Sequence, residues 1–141
     1  MLRRQDSRQS YERRPSFVLC MFYLLVVRTH LKLFGFGRTI SLVQRLTDRV
    51  RPKVAGASDL VSDAARSVAT AAAFFPGRAI CLEQSLVLYF VLCRRGVAAE
   101  LRIGAKPYPF KAHAWVEYGG VAVAEEPEWI AQLLPFPQVG R

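Results

Sequence analysis

The chain is poor in the residues that staple a small fold or bind metal. Its 141 residues include three cysteines, Cys20, Cys81 and Cys93, and two histidines, His30 and His113. An odd, sparse cysteine set is no disulfide framework. There is no Cys-x-x-Cys pair, and no Cys/His cluster has zinc-ligand spacing, so neither a metal nor another cofactor is expected. A chain of this length buries a core without such aids. Its 52% hydrophobic content excludes a disordered composition. No internal repeat is visible. A complete export signal is also missing. Arg3, Arg4, Arg8, Arg13 and Arg14 precede an apolar run over residues 17–27, but no small-x-small cleavage site follows. The run alone is too short to span a bilayer. Leu31, Leu33, Phe34 and Phe36 extend it, spaced by Arg28 and Lys32, as in a buried or membrane-surface helix. A cytoplasmic protein is expected.

Acidic residues are scarce in the first third. Residues 1–53 hold 12 Lys/Arg against 3 Asp/Glu, whereas residues 54–141 hold 8 of each. The net charge of +9 therefore lies entirely in the first segment. Such a segment attracts nucleic acid, anionic lipid or an acidic protein, or is simply a solvated arm.

What is present reads as helices followed by strands. Helices are predicted over 16–34, 38–50, 58–75 and 81–95, with breaks at Gly35-Phe-Gly37, over 51–56 and at Pro76-Gly77. The last of these helices is apolar almost all round, hence central. Strands are predicted over 98–104, 111–118 and 121–124, with Gly119-Gly120 as a hairpin turn, and a short helix is expected near the end. The plan is α+β in one domain overall, with a basic helical region over 1–53 and a core over 54–141.

Cys81 stands at the start of the central helix. There, unpaired backbone N–H groups and the helix dipole stabilise a thiolate, and Arg78 adds positive charge nearby in sequence. A nucleophilic thiol needs a base, usually histidine. His113, on a strand in the same half of the chain, is the candidate; His30 lies in the basic apolar helix. The histidine needs an acidic orienter. An ideal two-residue turn at Gly119-Gly120 pairs Tyr118 with Val121 and sets His113 opposite Glu126. A one-residue bulge brings up Glu125 instead. Glu117 lies on the His113 face, two same-face positions along the strand. Cys20 and Cys93 read as small buried hydrophobes.

The ordered series Cys81-Leu-Glu-Gln-Ser-Leu-Val-Leu, Arg94-Arg-Gly-Val-Ala-Ala-Glu-Leu-Arg-Ile-Gly104 and Phe110-Lys-Ala-His-Ala-Trp-Val-Glu117 resembles the lasso-peptide leader peptidases. The likeness runs from about Phe75 to Pro127. It implies a transglutaminase-like, papain-related fold with a central Cys-bearing helix and a small antiparallel sheet. It implies a Cys-His-Asp triad in which Cys81 and His113 match the first two members. Glu125 stands at the place of the aspartate by motif spacing, with Glu126 its rival. It also implies hydrolytic removal of the leader from a ribosomally made precursor. The implied partners are a small leader-recognition (RRE) protein and an ATP-dependent lasso cyclase. The chain has no room for its own recognition domain, so a stand-alone peptidase is expected, with Arg45, Arg49 and Arg51 in the basic segment as a dock; nucleic acid is not an expected partner. No glutamine lies between Gln44 and Cys81 to serve as a side-chain oxyanion donor, so backbone N–H groups at the helix start are expected to serve. A related acyltransferase or transglutaminase-like enzyme, or a basic binding module without enzymatic activity, are the alternatives.

Overall fold

The computed structural model describes residues 15–48, 57–77 and 79–137. Of the loose arm expected over 1–15, residues 1–14 lie outside the described residues, as do the linker over 51–56, Arg49 and Arg78.

Helix α1 spans Phe17–Phe34; Ser16 caps it by accepting from the Leu19 N–H at 3.1 Å. Gly35, at φ 82°, ends it and the chain turns directly into α2, Phe36–Asp48. Helix α3 covers Ser58–Phe74 and α4 covers Cys81–Arg94. Gly96, at φ 80°, closes α4, and the Val97 N–H reaches back to the Leu92 carbonyl at 3.0 Å. The period then changes from helical to alternating. Strands β1, Ala99–Lys106, and β2, Lys111–Tyr118, pair antiparallel over their whole length. The short β3, Val121–Ala122, follows the Gly119-Gly120 turn. Helix α5, Pro127–Ala131, and β4, Leu134–Pro135, complete a sheet ordered β3-β2-β1-β4.

The core lies where α1, α3 and α4 meet one face of this sheet. Cys20 and Leu24 of α1, Ala64, Val68 and Ala71 of α3, Val87, Val91 and Leu92 of α4, and Val116 of β2 are buried in one cluster. The alanines of α3 keep side-chain volume low and let the helices approach closely. Leu101 and Ile103 of β1 pair with Val116 and Ala114 of β2, so these four share the helix-facing side. His113, Trp115 and Glu117 alternate onto the opposite side.

Helix α2 begins at Phe36, inside the expected Gly35-Phe-Gly37 break, and β1 runs to Lys106 rather than to residue 104; two further differences bear on the sheet edge. The third strand stops at Ala122, because Ala124 adopts φ 54° and turns the chain off the sheet. Strand β4 is new; its pairing partners on β1 are Gly104 and Ala105. A Cβ on Gly104 would lie 2.9 Å from the Leu134 carbonyl oxygen and 3.0 Å from the Trp115 ring. Only glycine lets β4 and Trp115 close on β1 together. Gly104→Val is expected to cost about 1–3 kcal/mol of stability, measured as a lower denaturant midpoint. An unchanged midpoint would show that the neighbours yield freely.

Candidate active site

The site begins with the backbone at the start of α4. The first helical bond there runs from the Gln84 N–H to the Ile80 carbonyl at 3.1 Å. The N–H groups of Cys81, Leu82 and Glu83 therefore have no partner in the helix. Ile80, the N-cap, carries no side-chain acceptor. The carboxylate of Glu83 instead reaches back to the Ile80 N–H at 3.1 Å, forming one half of a capping box.

Glu83 is 5% exposed, and its charge is matched from α1. Arg28 donates from Nε to Oε1 and from Nη2 to Oε2, each at 3.0 Å, a bidentate pair across 55 residues. Its Nη1 donates to the Pro76 carbonyl at 2.8 Å, and its guanidinium lies 4.5 Å from the Phe75 ring centroid. One arginine thus holds the start of the α3–α4 connection and the first turn of α4 around Cys81. Sequence reasoning treated Arg28 as a spacer in an apolar helix and Glu83 as part of a motif. A signal was present: Glu83 stands three residues after Ile80 at a helix start, which is the capping-box position.

The second tie is at the sheet edge. The Val123 N–H donates to the Val116 carbonyl at 2.8 Å, and beyond this point the chain leaves β2. The Ala114 carbonyl, two residues back on that same edge, is taken by the Ser85 hydroxyl at 2.8 Å. Cys81 and Ser85 share a helix face one turn apart, and His113 directly precedes Ala114. The first turn of α4 is therefore bound beside the strand end that bears His113. Cys81 is partly exposed, and its thiol makes no hydrogen bond to His113 among the described residues.

His113 Nε2 and Glu125 Oε1 are 2.7 Å apart. The hairpin explains this choice. Gly119 and Gly120, at φ 60° and 78°, form the two-residue turn that pairs Tyr118 with Val121. The left-handed Ala124 then displaces the following register, so Glu125, not Glu126, meets His113. Glu126 is exposed and serves as the N-cap of α5, its carbonyl accepting from Trp129 at 3.0 Å. Glu117 is engaged elsewhere, accepting from Trp115 Nε1 at 3.1 Å and from Arg102 Nε at 3.3 Å. The imidazole is walled by two indoles: Trp115 stacks near it at 6.2 Å, and Trp129 of α5 meets it edge-on at 6.3 Å. With Nε2–H donated to Glu125, the neutral ring keeps a lone pair on Nδ1.

The other cysteines and histidine are differently placed. Burial pushes the thiols of Cys20 and Cys93 above the usual thiol range. His30 Nδ1 lies 2.8 Å from the Thr39 hydroxyl, between α1 and α2. No group of three or more His, Cys, Asp or Glu suited to a metal occurs among the described residues.

A family model described as Transglutaminase-like superfamily matches residues 23–136. Over 59 residues the chain is 40% identical to the microcin J25-processing protein McjB of Escherichia coli. That stretch is 42% of this chain but only 28% of the relative, so the chain matches well under half of that protein. No solved structure matches it.

Two outcomes are expected. Arg28→Ala leaves Glu83 buried and unpaired, so it is expected to lower stability by about 3 kcal/mol, read by chemical denaturation. Arg28→Lys, which keeps the charge but loses the fork, should fall between. Iodoacetamide near neutral pH is expected to label Cys81 well before Cys20 and Cys93, whose raised pKa leaves them less thiolate at that pH. Peptide mapping reads the order, and equal labelling of all three in the folded protein would contradict it.

Proposed function

We propose that this chain, which belongs to the transglutaminase-like superfamily, is a cysteine peptidase that removes the leader from a ribosomally made lasso-peptide precursor. The observation that carries the reading is the 2.7 Å bond between His113 and Glu125 at the strand end to which Ser85 ties the Cys81 helix. The name of the relative, a microcin J25-processing protein, supports a processing role, as does the ordered motif series around Cys81 and His113.

In this mechanism Glu125 accepts the Nε2–H of His113 and fixes the tautomer. Nδ1 then takes the proton of the Cys81 thiol. The thiolate attacks the scissile carbonyl, and the oxyanion is held by the backbone N–H groups at the start of α4. The imidazolium protonates the departing amine, leaving a thioester on Cys81. Water, deprotonated by His113, hydrolyses the thioester, releases the leader carboxylate and restores the thiol. No hydrogen bond joins the Cys81 thiol to His113 among the described residues, so this scheme requires the two to be brought together with substrate bound. The partners on this reading are the precursor, a separate leader-recognition protein and the ATP-dependent cyclase that consumes the trimmed core.

The test is precursor cleavage followed by mass spectrometry. Cys81→Ala and His113→Ala are expected to abolish it. Glu125→Gln should lower kcat by on the order of 100-fold, because the imidazole loses its orienting charge and its tautomer, whereas Glu126→Gln leaves kcat unchanged. A leader ending in a free carboxylate identifies hydrolysis; an amide at that carbon would replace this reading with acyl transfer. Cleavage by Cys81→Ala at the wild-type rate would end both.

A further inference from the structure

Helix α1 has two unlike sides. Its inward stripe is Cys20, Leu24 and Arg28, spaced by four, and it is fixed by core packing and the Glu83 pair. Its outward stripe is Val18, Phe22, Leu25, Val26, Thr29 and Leu33, all exposed, at spacings of three and four. That stripe runs about 22 Å at 1.5 Å per residue. Thr29 is its one hydroxyl, and it already donates to the Leu25 carbonyl at 2.8 Å. The apolar surface continues onto the exposed Phe34 and Phe36 at the end of the hairpin. It dips into a groove of about 210 Å³ between α1 and α2, lined by Phe22, Val26, Leu42 and Leu46 among others. The polar groups at the floor, His30 and Thr39, bond to each other.

An exposed apolar surface of this extent marks a contact with something else. Three features select what. The helix has a mean hydropathy of 1.7 over 18 residues, yet only 11% of them are buried in the domain. It cannot leave the domain to span a bilayer without breaking the Arg28–Glu83 pair and uncovering Cys20 and Leu24. Cations border the apolar surface: Arg38 and Arg45, both exposed, stand four and three residues from Leu42 on α2, and residues 1–53 carry the whole net +9. That charge disfavours a second copy of the chain, since two such faces would bring like charges together. A protein interface also needs polar contacts, roughly one hydrogen bond per 100–200 Å²; on this stripe Thr29 is already bonded, and the polar side chain at its edge is the exposed Lys32, a cation like Arg38 and Arg45. Hydrocarbon asks for none.

We propose that the outward face of α1, with the tip of the α1–α2 hairpin, is an interfacial anchor that seats the protein on an anionic bilayer, with Arg38 and Arg45 at the headgroups. It rests on surface chemistry alone and does not depend on the peptidase reading.

The test is flotation of the full chain with vesicles of phosphatidylcholine and phosphatidylglycerol (3:1) against pure phosphatidylcholine. Binding is expected to be at least tenfold tighter to the anionic vesicles and to weaken as salt rises. The exposed triple substitution Phe22→Ser, Leu25→Ser, Val26→Ser should cut binding at least tenfold with an unchanged thermal midpoint. Arg38→Glu with Arg45→Glu should remove the preference for the anionic lipid. Three results would overturn the proposal: no flotation with either vesicle, flotation that the serine triple leaves unaltered, or a concentration-dependent dimer that the serine triple dissolves. Cleavage of soluble precursor by the serine variant at the wild-type rate keeps this test separate from that of the peptidase reading, which fails or stands on Cys81→Ala.

Discussion

The site depends on the ion pair between Arg28 and Glu83. It joins α1 to the first turn of α4, and the same guanidinium holds the Pro76 carbonyl and lies on the Phe75 ring. A buried ion pair is a weak source of stability, because desolvation offsets most of the Coulomb attraction. Its contribution here is geometric. Glu83 uses its other capacity on the Ile80 N–H, so the carboxylate that Arg28 fixes is the one that sets the helix start. The free N–H groups of that turn and the Cys81 thiol then have a defined direction. An apolar pair of the same volume would fill the space without orienting them.

The second constraint is that β3 is short. Had it continued past Val123, its N–H groups would have taken the Ala114 carbonyl, and Ser85 would have had no partner on the strand. Departure of the chain at Ala124 frees that edge for α4 and swings Glu125 onto His113. One backbone feature thus makes room for the helix and supplies the acid. Trp129 follows from the same departure, since α5 begins two residues after Glu125 and Lys111 of β2 lies 5.7 Å from the indole centroid.

Much of this was legible in the sequence. Helix starts and stops were marked by Ser16, Gly35 and Gly96, and the Gly119-Gly120 turn fixed the register of the hairpin up to Glu117. Cys81 and His113 could be singled out by residue type and by position on a helix start and a strand. The choice between Glu125 and Glu126 was not legible, because it turns on a left-handed alanine, and alanine has no local preference for that region. Arg28 was hidden for a different reason. Its partner lies 55 residues away, and no local pattern reports a tertiary ion pair. Strand β4 was hidden because two paired residues, one of them Pro135, carry no alternation to read.

The two sides of α1 bear on one another. Arg28 projects from the inward stripe and Phe22 and Val26 from the outward one, so whatever covers the outward face does not compete with the clamp on Glu83. Because α1 is one continuous helix, unbroken by glycine or proline from Phe17 to Phe34, the two are also rigidly related. A surface that engages Phe22 and Val26 therefore fixes the direction in which the first turn of α4 faces. The same 18 residues that orient the thiol would orient the whole site relative to that surface. An exposed apolar stripe that contributes little to the core fits that second duty, and it lies on the most hydrophobic of the described helices, which is not the one at the centre of the fold.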